Sequence, residues 1–245
     1  MVVPGEDGSS SAWCVLVPAY DAARSVGDVV TALRAELGAE AAIFVIDDGS
    51  RDTTRAVAEA AGATVVVHAT NQGKGAALVT GLKHAASLGF AMAVTVDADG
   101  QHPASSARRV LEAGGDPRAL VLGIRDLPGA GAPRANQLSN RISNYFLSQF
   151  AGQTLADTQC GLRRYGVAET LALGAKSPGY AFEAEVVLLT VAAGLPVIEV
   201  DIEVIYPPEE LRVSHFDPVK DPARIIQTVL RTVLDPRFLR RGREG

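Results

Sequence analysis

Five short apolar runs set the frame of the first half of this chain: Trp13–Val17, Ile43–Ile46, Thr64–Val67, Met92–Val96 and Leu120–Ile124. They are rich in β-branched residues and do not alternate polar with apolar. Strands buried on both faces read this way, which predicts a parallel sheet covered by helices. The stretches between the runs have helical spacing. Ser25 stands where it can N-cap a helix whose apolar positions are Val26, Val29, Val30, Leu33 and Leu37, a stripe of 3.6-residue period. Ser50 or Asp52 can cap the Ala-rich stretch to Ala61, closed by Gly62. Lys74–Leu88, ended by Gly89, and Ala104–Ala113, opened by Pro103, give two more helices.

The second half is less regular. Leu127–Pro133 is rich in Pro and Gly and is expected to be a mobile loop. A helix over Asn136–Phe150, a strand–turn segment near Asp157–Arg164, a helix over Phe182–Ala193 and a strand over Val197–Ile205 follow. Asp221-Pro222 is a strong helix start, and Ile225, Ile226, Val229, Leu230, Val233 and Leu234 then share one face. No internal repeat and no linker divides the 245 residues. The expected organisation is one α/β domain over 12–220. A Gly/Ser-rich, acidic lead-in over 1–11 precedes it and is expected to be disordered; an amphipathic helix and basic tail over 221–245 follow.

Composition narrows the function. The net charge of −5 gives no basic signature of a nucleic-acid binder. No apolar run reaches the roughly 18 residues of a membrane span, and the first residues lack the basic and apolar regions of a signal peptide. Two cysteines, Cys14 and Cys160, do not make a disulfide framework. Together these predict a cytoplasmic setting.

In parallel α/β sheets ligands bind at the carboxyl ends of strands, and the chemically useful residues cluster there. Asp97 and Asp99 follow the fourth run with one residue between them, so both can face one way while Ala98 faces the other. Two neighbouring carboxylates repel, and a divalent cation removes the conflict. Hard ions such as Mg²⁺ accept carboxylates together with substrate phosphate oxygens. Gln101 can assist through a carbonyl or a held water. The alternative for this segment is a solvated acidic turn that caps the next helix. Asp47 and Asp48 end the second run and can accept hydrogen bonds from a nucleobase or ribose. Asn71-Gln72-Gly73-Lys74-Gly75 can bring a cation and backbone N–H groups to a phosphate. It lacks the spacing of a P-loop, and Pro18-Ala19-Tyr20-Asp21 after the first run is no G-x-G-x-x-G.

The segments LVPAYD, VIDDGSRDTT, NQGKGAAL, VDADGQHP, DTQCGLRRY, FEAEV and RVSHFDP occur in one order along residues 13 to 230. In that order they resemble family-2 glycosyltransferases, and among these the polyprenyl-phosphate sugar synthases of the dolichyl-phosphate mannose synthase type. The resemblance implies a GT-A fold: a Rossmann-like, mostly parallel sheet flanked by helices, here with a C-terminal helical elaboration. It implies a nucleotide-sugar donor, UDP- or GDP-linked, cradled by Pro18, Ala19, Tyr20, Asp47, Asp48, Lys74, Asp97, Ala98 and Asp99. It implies Mg²⁺ or Mn²⁺ on Asp97 and Asp99 with Gln101 as helper. The family usually has Asn-Glu where this chain has Asp21-Ala22, so the base is not specified.

The same resemblance implies that Arg125, Arg134 and Ser139, with Asn140, meet the acceptor's phosphate, and that Asp157 and Glu183 lie near sugar and acceptor as catalytic acids. Surface charges for the arginines, a turn acid for Asp157 and a first-turn helix acid for Glu183 are the competing readings. Arg212, Ser214 and His215 resemble a loop that closes over the donor diphosphate. The implied acceptor is a lipid phosphate, with a hydroxyl acceptor or a non-catalytic sugar-nucleotide binder as alternatives. The terminal RFLRRGREG is a candidate for peripheral contact with an anionic membrane at its inner face.

Overall fold

The structure is a computed structural model and describes residues 2–4, 10–179, 181–206 and 220–234. The strands are β1 (Val2–Pro4), β2 (Ser10–Ala19), β3 (Ile43–Asp47), β4 (Thr64–Val67), β5 (Met92–Thr95), β6 (Leu120–Arg125), β7 (Arg163–Gly166) and β8 (Val197–Ile202). Their spatial order is β4-β3-β2-β5-β7-β6-β8, with β1 added antiparallel to the start of β2. The pairs β2–β3, β3–β4, β2–β5 and β6–β8 are parallel; β7 runs antiparallel to both β5 and β6. The sheet is therefore mostly parallel, as expected for an α/β GT-A domain.

The helices are α1 (Val26–Leu37), α2 (Thr54–Ala60), α3 (Lys74–Ser87), α4 (Ala104–Glu112), α5 (Arg134–Ala151), α6 (Val167–Leu173), α7 (Ala181–Ala192) and α8 (Lys220–Val233). Alternate residues of β2 explain its unbroken apolar run. Trp13, Val15 and Val17 pack with α1, α2 and α4 on one face, while Cys14 and Leu16 pack with α3, α6 and α7 on the other. Each fully buried aliphatic side chain contributes roughly 1.5–3 kcal/mol relative to exposure, so both helix layers are held to the sheet by the same strand. In α1 the buried residues are Val26, Val29, Val30, Leu33 and Leu37, the stripe the spacing predicts.

Several local expectations are corrected. Ser25 stands at the N-cap of α1 but makes no side-chain cap; its hydroxyl donates to the Ala98 carbonyl at 2.6 Å. Neither Ser50 nor Asp52 is the N-cap of α2: that position falls to Thr53, and Asp52 instead accepts the Thr54 N–H from two residues away. The strand–turn segment near Asp157–Arg164 resolves into a loop over 157–160, held by side-chain bonds, and a strand that starts at Arg163. α6 was not anticipated. The lead-in expected to be disordered contributes β1, and Ser10 and Ser11 begin β2. Leu127 and Ala132 are buried, so the Pro/Gly-rich segment folds back as turns against the domain.

The chain runs outward from β2 to β3 and β4, then returns to β5 on the other side of β2. The connections leaving β2 and β5 therefore diverge at their carboxyl ends. Such a switch point opens the crevice where α/β sheets bind ligands.

Candidate active site

The crevice is lined by three strand ends laced to one another. After β2, Asp21 adopts a left-handed conformation with φ of 48°. Its N–H donates to Ser50 Oγ at 2.9 Å, and its carboxylate accepts the Arg51 N–H at 2.8 Å. Ala22 N–H donates to Thr54 Oγ1 at 2.7 Å. The β2 and β3 turns thus form one unit, with Pro18 and Tyr20 half-buried beside it and Ala19 in the core.

After β3 both acids are buried and engaged. Asp47 accepts the Ser50 N–H at 2.9 Å, closing its own turn. Asp48 accepts the N–H groups of Gln72 and Gly73 at 2.9 and 2.7 Å, and lies 2.7 Å from His68 Nδ1. The other ring nitrogen of His68 lies 2.9 Å from Thr80 Oγ1 of α3. Gly49 has φ of 75°, and a Cβ there would stand 2.6 Å from the Asn71 backbone nitrogen, so the 70–73 loop crosses directly over a residue that must be glycine. Asp48 thereby clamps the loop that carries Lys74.

Lys74 does not project alone toward a phosphate. Its Nζ lies 2.6 Å from Asp97 Oδ1 and 3.3 Å from Glu183 Oε1 on α7. Gly161 lies against this cluster: a Cβ there would touch the Asp97 carboxylate and stand 2.7 Å from Lys74 Nζ. Asp97 and Asp99 follow β5 in a turn, with Ala98 packed in the core as the one-residue spacing predicts. Burial raises the Asp97 carboxyl, but Lys74, His102 and Arg125 together outweigh it and hold the group below the usual carboxylate range. Asp99 keeps solvent contact at the mouth of the crevice, yet loss of surrounding water, then the Asp97 charge, pushes it up to about 6. Its carboxylate accepts the Gln101 N–H at 2.9 Å.

This donor set fits a divalent cation. Two hard carboxylates, short of counter-charge, share one mouth, and Mg²⁺ or Mn²⁺ takes such a pair with substrate oxygens. Among the described residues no cluster of three or more His, Cys, Asp or Glu supplies a complete cage, so further ligands would come from phosphate and water.

The acceptor-side residues are tied together by side-chain contacts. Arg125, at the end of β6, grips Asp157 with two contacts, Nε–Oδ2 2.6 Å and Nη2–Oδ1 3.0 Å. Asp157 is fully buried and anchors Arg125. Burial disfavours the Arg125 charge, but Asp157, with smaller help from Cys160 and Tyr206, outweighs it and keeps the guanidinium protonated. Ser139 is buried and accepts from Gln159 Nε2 at 2.9 Å, tying α5 to the 157–160 loop. Asn140 is buried beside it, and Arg134 is exposed in the first turn of α5. Arg212, Ser214 and His215 lie outside the described residues.

Four further groups in or around the site were not among the candidate residues. His102 is buried next to the Asp97 turn, and burial pushes its imidazole down to about 4 despite Asp97. Tyr206 lies close enough to feel Arg125, Asp157 and Asp99. Its strand extension docks on the Asp97–Gln101 turn, where Ile205 N–H donates to the Gln101 carbonyl at 2.8 Å. Arg163 is fully buried and donates to the carbonyls of Thr158, Cys160 and Glu183, joining the 157–160 loop to α7. His68 braces Asp48.

Fold and strand-end acids together define an α/β protein of the GT-A type. The sequence profile of glycosyl transferase family 2 matches residues 14–167. Glycosyltransferase AglJ of Haloferax volcanii is 30% identical over 210 residues, 85% of this chain and 67% of that protein. Polyprenol monophosphomannose synthase of Mycolicibacterium smegmatis is 31% identical over 172 residues, 65% of each chain. Glucosyl-3-phosphoglycerate synthase from Mycobacterium tuberculosis, solved with Mn²⁺, UDP and phosphoglyceric acid, superposes with a TM-score of 0.68 at 20% identity, over 91% of this chain and 78% of that one. That likeness is one of fold. The chain belongs to glycosyl transferase family 2 and is a glycosyltransferase.

Proposed function

We propose that the protein transfers a sugar, with inversion, from a nucleotide-diphosphate sugar to a polyprenyl phosphate. The observation that carries the donor half is the Asp97–Asp99 pair at the switch point. These two residues, with Gln101 beside them, would hold Mg²⁺ or Mn²⁺ against the donor diphosphate. A cation bound there would stabilise charge developing on the leaving diphosphate. Pro18, Ala19, Tyr20 and Asp47 form the wall for the nucleoside, and Arg212 and His215 are assigned to the diphosphate by motif alone.

Both candidate bases are buried beside cations, Asp157 paired with Arg125 and Glu183 3.3 Å from Lys74. This favours an acceptor that needs no strong base. A phosphate monoester, with a second pKa near 6, is largely a dianion at neutral pH and already nucleophilic. Arg125, fixed by Asp157, and Arg134 would then orient it. A hydroxyl acceptor would require one of these acids to leave its partner and take a proton.

A lipid acceptor is also supported by the outer face of α5. Leu138, Ile142 and Tyr145 fall at i, i+4 and i+7 and are 57%, 37% and 62% exposed. The helix carries Arg134 and Arg141 and no acid, within a chain of net charge −5. α8 packs against α5 and exposes Leu230 beside Arg231, with Leu234 exposed just past its end. An apolar stripe flanked by arginines suits peripheral contact with an anionic membrane. Among the described residues no helix is long and apolar enough to cross one. In this reading residues 12–220 form the catalytic domain, followed by the amphipathic helix and basic tail of 221–245.

The test is incubation with UDP- and GDP-sugars, Mn²⁺ and a short polyprenyl phosphate, with EDTA as control. Metal-dependent formation of a lipid-linked sugar is expected. Transfer only to a hydroxyl acceptor would replace the lipid reading, and binding without turnover on any acceptor would remove catalysis.

A further inference from the structure

Glu183 is an unusual neighbour for Lys74. Its side chain is 3% exposed, and Oε1 has no aligned hydrogen bond among the described residues. A buried acceptor left in that condition is costly. The nearest cation, Lys74 Nζ, is 3.3 Å away but spends its short contact, 2.6 Å, on Asp97. One ammonium therefore stands between two carboxylates, and a third acid, Asp99, follows Asp97 two residues on in the same turn. The main chain of Lys74 is fixed by the Asp48 clamp on Gln72 and Gly73. Its side chain is thus anchored at one end, with both carboxylates in reach of the other.

We propose that Lys74 is a counter-ion with two seats, and that it passes from Asp97 to Glu183 when Asp97 and Asp99 take up a divalent cation. The proposal rests on the metal reading of that pair. Lys74 at Asp97 keeps the paired acids from repelling each other and from collecting stray cations. At Glu183 it satisfies the orphaned Oε1 and leaves Asp97 free as a ligand. Glu183 is then a positioning residue that acts through Lys74, rather than a base acting on the acceptor.

The test reads Mn²⁺ affinity of the full chain by the EPR signal of free Mn²⁺, with no donor or acceptor present. Removing the competing ammonium in Lys74→Met should tighten Mn²⁺ binding by about tenfold, although turnover falls. Glu183→Gln should weaken binding by about three- to tenfold, because Lys74 then has no second seat. In the Lys74→Met background, Glu183→Gln should change the affinity little, the signature of a residue acting through another. Weaker or unchanged Mn²⁺ binding in Lys74→Met overturns the proposal. So does a Glu183→Gln effect that persists undiminished without Lys74. Asp99→Asn separates this from the underlying reading. If Asp99→Asn abolishes Mn²⁺ binding while Lys74→Met fails to tighten it, only the two-seat idea falls. If Asp97→Asn and Asp99→Asn bind Mn²⁺ as the unaltered chain does, the metal assignment falls and the proposal with it.

Discussion

The carboxyl ends of β2, β3 and β5 hold their acids by one method, and the segment from β6 to β8 holds its charges by another. At the first, carboxylates are fixed mostly by backbone N–H groups a few residues away or in the next loop: Asp47 by Ser50, Asp48 by Gln72 and Gly73, Asp99 by Gln101. At the second, side chain grips side chain or a distant carbonyl: Arg125 with Asp157 across 32 positions, Arg163 with Glu183 across 20. Local backbone clamps suit a site whose acids must wait, open on one side, for a cation and an anionic ligand. Buried long-range pairs suit a region that must aim a guanidinium without letting it wander.

The contrast predicts unequal responses to mutation. The largest belongs to the second region. Asp157→Ala would leave Arg125 buried and uncompensated, costing about 3–5 kcal/mol, measurable as a lower urea midpoint. Arg125→Met combined with Asp157→Leu should recover much of that loss, because neither charge is then stranded. A double variant no more stable than Asp157→Ala would break the distinction.

Asp48→Asn comes next, at about 1–3 kcal/mol for loosened buried hydrogen bonds. Its effect should be local. Amide hydrogen exchange should accelerate at residues 70–75 and stay unchanged in β6 and β8. Uniform acceleration would mean that Asp48 supports the whole sheet instead of one loop.

The smallest effect is a gain. Asp99 titrates near 6 in the folded chain, against about 4 in an unfolded one. Between these values the folded state binds more protons, so this group's contribution falls as pH rises through that window. Above it the ionised Asp99 is a net cost. Asp99→Asn should therefore raise the melting temperature at pH 7.5 in EDTA, and the gain should shrink toward pH 4. A loss of stability at pH 7.5 would show that Asp99 is a structural acid.

The same contrast explains what could be read from the sequence. The parallel strands, the α1 stripe and the Asp97–Asp99 spacing depend on neighbours two to four positions apart, so periodicity and turn chemistry revealed them. Asp48 was visible as a strand-end acid, but its engagement by His68 and the 72–73 amides depends on a loop crossing Gly49, which no local pattern encodes. The antiparallel direction of β7 had no local signal: buried Arg163 and Arg164 are held there by backbone carbonyls, Arg163 by Thr158 and Glu183 and Arg164 by Leu111. Asp157 looked like a turn acid or a base, since its partner lies on another strand. The Lys74–Glu183 contact joins the starts of two helices far apart in the chain, and only the packing of α3 against α7 creates it.

The account stands on Asp97 and Asp99 as a metal–diphosphate site. Its most direct measurement is a thermal-shift titration with UDP and GDP, each with Mn²⁺ and with EDTA, on the unaltered chain and on Asp99→Ala. A ligand that binds only the folded state raises its melting temperature. The account predicts that one nucleotide stabilises the unaltered chain in Mn²⁺ but not in EDTA, and that Asp99→Ala abolishes this gain. Equal stabilisation in EDTA, or a gain that survives Asp99→Ala, would contradict it.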